Sequence, residues 1–337
     1  MPSPRSRPTP SPDVDWRFEA IGTVWEITTD APLSDAARAE VRAEIDRIDR
    51  VWSRFRDDSM VAEMARTPGR YPVAASDAAL LDWYRRLYEI TAGAVTPLVG
   101  ATLADAGYDA QYSLTPESTI APVPAWDDVI EWRPGDVAGA AGELVVRHPV
   151  LLDIGAAGKG FVVDRVAAVV AAHTGGPHVV DAGGDMVISA REHPVRIALE
   201  HPGDPRRAIG VVELSGGAVC ASAPNRRAWA DWHHIVDPHT GRPTREVLAT
   251  WVFADETTTG PAMTADGLAT ALFFTPATAL QARLGAPQPN RRPGATPTDI
   301  TWTALEKSGG TTAFGHVIIH HSGVVEHTAI PGLELFL

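Results

Sequence analysis

Residues 153–166 read DIGAAGKGFVVDRV, three glycines and a lysine set between an apolar run and a helix-like segment. Upstream, ELVVRHPVLLDI (143–154) is aliphatic and β-branched, which predicts one or two strands. Downstream, Phe161, Val162, Val166, Val169 and Val170 recur at helical spacing. A glycine-rich turn therefore joins strand to helix. Such a junction presents N–H groups at the positive end of a helix dipole, and glycine lets a phosphate approach the backbone closely. The known phosphate fingerprints fit badly. A Walker A loop needs glycine where Asp153 stands and Ser or Thr where Gly160 stands, and GxGxxG fails on the spacing of Gly155, Gly158 and Gly160. On this stretch alone, a structural turn and a ligand loop stand level.

Working outward, RFEAIGTVWEITTD (17–30) alternates like a strand. LSDAARAEVRAEIDRIDRVWSRF (33–55) is an amphipathic helix with Ser34 at its N-cap, and SDAALLDWYRRLYEITAG (76–93) is a second, closed by Gly93. DDVIEWRP (127–134) predicts a short strand, and PHVVDAGGDMVISA (177–190) a strand that breaks at Gly183 and Gly184. VRIALE, GVVELS and LATWVFA are further strands, TADGLATALFFTPATALQARLG (264–285) gives helices split at Pro276, and GHVIIHHSGVVEHTAI (315–330) reads as a hairpin. Strands and helices mix without a βαβ repeat, which favours an α+β fold. A proline-rich disordered tail is expected over 1–16, a single domain over 17–337, and a low-complexity surface loop at APQPNRRPGATPTD (286–299).

Composition narrows the function classes. The 337-residue chain carries a formal charge of -13, which disfavours nonspecific nucleic-acid binding. Cys220 is the single cysteine, so no internal disulfide framework exists. The N-terminus lacks the apolar region of a signal peptide, and no apolar run reaches the ~20 residues of a membrane span. A cytoplasmic protein without a membrane anchor is the expectation.

Three further clusters carry possible chemistry. In HHIVDPHTGRP (233–243), His233, His234, Asp237 and His239 crowd a turn. Zinc ligation, loop histidines beside an Asx turn at Asp237, and a proton-moving histidine are the alternatives. In MTADGLATALFF (263–274), Asp266 and Thr270 are four apart, so a helix places a carboxylate and a hydroxyl on one face for a hard cation. Helix capping, with Thr264 as N-cap and Asp266 in the first turn, fits equally. In VVDAGGDMVIS, Gly183 and Gly184 mark a bulge or a close backbone approach.

Together these clusters resemble the ApbE-like family of flavin transferases, which attach the FMN half of FAD to a threonine of another protein. The D-[LIP]-[GS]-x-x-[AG]-K-G-[YF]-x-x-D motif is matched from Asp153 through Asp164, and x-G-G-D at Gly183, Gly184 and Asp185. H-I-[IV]-D-P-x-T-G follows at His234 through Gly241, and A-D-x-x-[AD]-T-[AG] at Ala265 through Ala271. GTVWEI, SRFRDDSMVAEM and TAGAVTPLVG resemble the family's earlier segments in the same order, so the resemblance runs from about residue 18 to 285, with a C-terminal hairpin extension over 286–337. Thr96 stands where many members carry Asp, Ala221, Ser222 and Ala223 where they carry T-S-G, and Ala269 where a second acid is frequent.

The resemblance implies an alpha-beta roll of mixed and antiparallel sheets with packed helices. It implies Mg²⁺, with Mn²⁺ as the alternative, held by Asp266, Thr270 and the carbonyl of Ala156. It implies FAD contacts at Ile21, Phe55, Ala94, Val95, Thr96, Asp153, Lys159 and Val236, with His234 as catalytic proton acceptor. The implied partners are FAD and a target flavoprotein presenting a threonine, and the products are a phosphoester and AMP. An FAD pyrophosphatase releasing FMN and AMP, or a non-catalytic FAD-binding protein, are the competing expectations, the latter favoured by Thr96.

Overall fold

The computed structural model describes residues 14–135, 142–285 and 314–336. Most of the expected proline-rich tail, and the loop at 286–299, lie outside them. Residues 14–16 do not belong to a tail: the first strand already begins at Val14.

The main sheet has eight strands, β1 (Val14–Ala20), β2 (Thr23–Thr29), β3 (His178–Ala182), β4 (Met186–Ile188), β5 (Gly217–Ser222), β6 (Val247–Ala254), β7 (Gly315–His320) and β8 (Val325–His327). They lie side by side in chain order, every neighbour antiparallel. The fold is thus α+β, built of antiparallel sheets and packed helices. Helices that build or support the functional region include α1 (Asp35–Trp52), α2 (Ala78–Ile90), α3 (Gly158–Thr174) and α4 (Pro261–Ala271).

Local chemistry explains the elements. Ser34 caps α1 by accepting the Ala37 N–H at 3.2 Å, and the helix buries Val41, Ile45, Ile48 and Trp52 along one stripe. Helix α3 buries Phe161, Val162, Val166 and Val170 and stops at Gly175, whose φ of 59° suits a left-handed C-terminal residue. ELVVRHPVLLDI supplies only one strand, Gly142–Val146, paired between Gly69–Val73 and Ile130–Arg133. The chain from 147 to 157 is irregular instead, tied down where the Asp153 N–H donates to the Pro97 carbonyl at 2.7 Å.

Strand β6 shows the layering. Alternate residues of a strand face opposite sides. Val252 and Ala254 join the core that holds α3 and α4, whereas Trp251 and Phe253 join a second core. That second core is closed by a three-stranded sheet of Val195–His201, Asp204–Leu214 and Glu334–Leu335, which contributes Leu199, Ile209 and Val212. A strand covered on both faces reads as a continuous apolar run, which is why LATWVFA lacks alternation. Among the described residues no helix is long and apolar enough to cross a membrane.

Candidate functional site

A cavity of about 1070 Å³ opens between the β1–β2 turn, the glycine-rich loop before α3, and the hairpins after β5. That is the upper range for small-molecule sites. Ile21, Phe55, Ala94, Val95, Thr96, Asp153, Ala156, Lys159, His234, Val236, Asp266 and Thr270 all line it.

The glycine-rich loop is held from inside. The Ala157 N–H donates to Tyr84 Oη at 3.0 Å, and the Gly158 N–H to the Ile154 carbonyl at 2.7 Å. The Gly160 N–H donates to Asp266 Oδ2 at 2.9 Å. Gly160 must be glycine for packing: a Cβ there would stand 2.2 Å from the Ala262 carbonyl oxygen. The loop's glycine brings α3 against α4, and the amides of Gly155, Ala157, Gly158 and Gly160 are committed to protein partners. Those four amides are therefore not free to cradle a phosphate.

Helix α4 carries Asp266 and Thr270 one turn apart on the cavity side. Its N-cap is Gly260, at φ 57°, not Thr264, and its first amides are capped from another helix. The carboxylate of Asp164, on α3, accepts from Ala262 N at 3.0 Å and from Met263 N at 2.8 Å. Thr264 Oγ1 instead donates back to the Thr259 carbonyl, and Asp266 lies beyond the first turn, so the capping alternative for this motif fails. Burial pushes the Asp164 carboxyl up to about 7 against the pull of its two amides. Thr270 Oγ1 lies 3.3 Å from the Ala156 carbonyl oxygen, and 3.5 Å from Ser222 Oγ. Asp266 is 3% exposed, and burial, reinforced by the charge of Asp185, pushes its carboxyl well above the usual range.

Two ion pairs brace the walls. Lys159 Nζ is 2.5 Å from Asp185 Oδ2, on a side chain with no exposure. Burial opposes the Lys159 charge, but Asp185 and Asp266 outweigh it and raise its pKa. Asp185 follows a two-residue turn at Gly183 and Gly184, both at positive φ, as a primed hairpin turn between β3 and β4 requires. Arg54 Nε is 2.5 Å from Asp153 Oδ2, with the guanidinium over the rings of Phe55 and Tyr108. Burial would lift the Asp153 carboxyl, yet Arg54 and the Gly155 amide outweigh it and hold it below its ordinary value.

The histidine cluster divides by role. His233 is structural: Nε2 meets the Thr244 carbonyl at 2.7 Å and Nδ1 accepts the Ile235 N–H at 3.2 Å. Asp237 makes the expected Asx turn, accepting the His239 N–H at 2.9 Å, and Gly241 at φ 64° closes it. Among the described residues no three His, Cys, Asp or Glu side chains are grouped to hold a metal, so the geometry lends the zinc alternative no support. Of this cluster, His234 lines the cavity, its ring beside the Arg227 backbone. Its Nδ1 is buried without a hydrogen-bond partner. Burial, with the charge of Arg227 and neighbouring His233 added, pushes its pKa down to about 3.

The remaining expected contacts form the walls. Ile21 has φ 43°, an unusual conformation for a β-branched residue, in the two-residue turn between β1 and β2. Thr96 is buried and caps the short turn at Pro97–Val99, its Oγ1 accepting the Leu98 N–H at 3.2 Å. Phe55 stacks on Tyr112 with ring centroids 5.3 Å apart and planes at 11°, and Val236 packs with Trp229, Trp232 and Tyr108. Sequence reasoning gave no role to Arg54, Tyr112 or Arg227, and placed Asp185 only as the acid of the x-G-G-D motif. The pairs Arg54–Asp153 and Lys159–Asp185 span 99 and 26 positions in the chain, so no local pattern announces them.

Comparison with known proteins shows the family and the fold. Residues 21–289 match the ApbE family. The chain is 25% identical over 275 residues to the FAD:protein FMN transferase of Klebsiella pneumoniae (strain 342), covering 76% of each. It is 28% identical over 283 residues to the FAD:protein FMN transferase of Treponema pallidum (strain Nichols), covering 75% of this chain and 76% of that one. The fold is similar to the crystal structure of the ApbE protein from Thermotoga maritima MSB8, with a TM-score of 0.70, 21% identity and coverage of 94% and 97%. It is similar also to the apo flavinyl transferase ApbE of Pseudomonas stutzeri, with a TM-score of 0.66, 18% identity and coverage of 95% and 96%.

Proposed function

The chain belongs to the ApbE family, and from that premise we propose that it is an FAD:protein FMN transferase. It takes FAD, moves the FMN half onto a threonine hydroxyl of a target flavoprotein, and releases AMP. The reading is carried by the convergence of twelve residues from six separate chain segments on one cavity.

Ile21, Phe55, Val236 and the segment Ala94–Thr96 offer apolar walls for the flat rings of the dinucleotide. Asp153 and Lys159, each fixed by its ion pair, supply polar contacts. His234 acts through its imidazole ring. The depressed pKa keeps the ring neutral near pH 7 but a weak base, and the negative charge of a bound dinucleotide would raise it toward the range that taking the hydroxyl proton requires. The threonine oxygen then forms a bond to the FMN phosphorus, and the phosphoanhydride electron pair leaves on AMP.

The donor set of Asp266, Thr270 and the Ala156 carbonyl fits a hard divalent cation. All three groups are oxygens, Thr270 Oγ1 and the Ala156 oxygen lie within 3.3 Å, and Asp266 is a buried carboxyl whose ionised form needs positive charge nearby. Mg²⁺, or Mn²⁺, held there would offset phosphate charge in the reaction. The three residues themselves orient that ligand set from one helix face and one loop.

Incubation with FAD, Mg²⁺ and a threonine-bearing flavinylation peptide tests the reading. A covalently fluorescent peptide together with AMP is the expected result. Free FMN with an unlabelled peptide, or unchanged FAD, sinks the transfer reading in favour of hydrolysis or of binding alone.

A further inference from the structure

Five cationic side chains line the cavity: Arg54, Arg56, Lys159, Arg226 and Arg227. Four are already neutralised. Arg54 pairs with Asp153 at 2.5 Å, Arg56 with Asp58 at 2.8 Å, Lys159 with Asp185 at 2.5 Å, and Arg226 with Glu200 at 2.5 Å. Among the described residues the Arg227 side chain has no ion pair and no hydrogen bond. It is exposed to the cavity rather than tucked into the wall.

Three amides of the other usual source of positive charge, a helix N-terminus, are also engaged. The amides of Ala157, Gly158 and Gly160 at the start of α3 donate to Tyr84, Ile154 and Asp266. A phosphate entering this cavity therefore finds one guanidinium without a partner among the described residues. Its field already reaches the working groups: it acts on His234, Asp153, Lys159 and Asp266.

Backbone geometry ties Arg227 to the proposed proton acceptor. The His234 N–H donates to the Arg227 carbonyl at 3.3 Å, beside the Ala228–His233 pair of a short hairpin. One rigid turn thus carries both residues to the same cavity wall. A guanidinium presents a planar fork of donors that matches two phosphate oxygens at once.

We propose that Arg227 is a catalytic residue that binds the pyrophosphate of the dinucleotide and holds the charge that grows on it as the phosphoanhydride breaks. The inference rests on the proposed FAD chemistry. As threonine Oγ bonds to the FMN phosphorus and the electron pair departs on AMP, the hydroxyl proton passes to His234. Arg227 takes no proton and no electron.

The test separates phosphate binding from flavin binding. Dissociation constants for FAD and for riboflavin, which lacks phosphate, are measured by flavin fluorescence on wild type, Arg227→Gln, Arg227→Lys and Arg206→Gln. Arg206 is 88% exposed at the side chain and pairs with Asp204, so it controls for the loss of one surface charge. Arg227→Gln is expected to weaken FAD about 10-fold or more while riboflavin changes less than about twofold, with Arg227→Lys restoring part of the loss. AMP release by Arg227→Gln should fall on the order of 10³-fold, the scale of an arginine acting on a phosphoryl group. Equal effects on FAD and riboflavin, or none on either, overturn the proposal. Absence of AMP release by wild type would sink the transfer reading, and the binding comparison would still decide Arg227.

Discussion

The main-chain N–H of Gly160 donates to Oδ2 of Asp266 at 2.9 Å across the contact between α3 and α4. This one bond joins the glycine-rich motif to the helix that carries the proposed cation ligands. It also fixes why the glycine is there: α4 lies where a side chain would be.

Gly160→Ala is expected to destabilise the protein by about 1–3 kcal/mol, the usual cost of overpacking. The added methyl meets the Ala262 carbonyl, part of the backbone, which cannot rotate away. Thermal melts check the loss. An unchanged melting temperature would show that α3 and α4 can separate freely.

Asp266→Ala should abolish divalent-cation-dependent AMP release while leaving a folded protein. Turnover measured across a Mg²⁺ titration, and again after EDTA, checks this. Activity that survives with the same Mg²⁺ dependence would refute the assigned ligand set.

His234→Ala should slow transfer by roughly 10²–10⁴-fold, the range for a lost general base, with FAD affinity nearly intact. Loss of FAD binding in a folded variant would make His234 a ligand contact instead. The pH behaviour has a definite sign. With its pKa depressed from 6.5 to about 3, the native state binds this proton less readily than the unfolded chain. Its contribution to stability is present above the unfolded value and declines as pH falls through that window, a decline that His234→Ala should remove.

Asp164 has the opposite sign. Its carboxyl is raised from 3.8 to about 7. The native state therefore binds a proton that the unfolded chain has lost, and this contribution weakens as pH rises from about 4 to 7. Asp164→Asn lacks that titration, so the stability advantage of wild type over the variant should shrink across the same range. Urea unfolding at several pH values measures it, and a difference that stays flat with pH would contradict the assigned shift.

Much of the fold was legible because local rules and tertiary structure agree. The Ser34 cap, the valine stripe of α3, the glycine break at 183–184 and the Pro276 split each appear where turn chemistry and periodicity put them. The readings that failed are those where distant groups took over a local role. LLDI has strand composition, but it is held as an irregular segment against Pro97. Thr264 has the chemistry of an N-cap, but Asp164, 98 positions from Ala262 in the chain, caps α4 instead.

The sequence by itself determined the α+β character, the order of the motifs, and the residue types that can serve a dinucleotide and a hard cation. The fold class follows from propensity and periodicity, which are properties of short segments, and the dinucleotide and cation reading from the family resemblance of the motifs. Only the tertiary structure decided which charges are free. Lys159 looks available in the sequence and is bound to Asp185, while Arg227 carries no motif and is left unpaired among the described residues. Whether a charge can serve a ligand depends on what lies within hydrogen-bonding distance of it, and folding sets that distance between residues far apart in the chain.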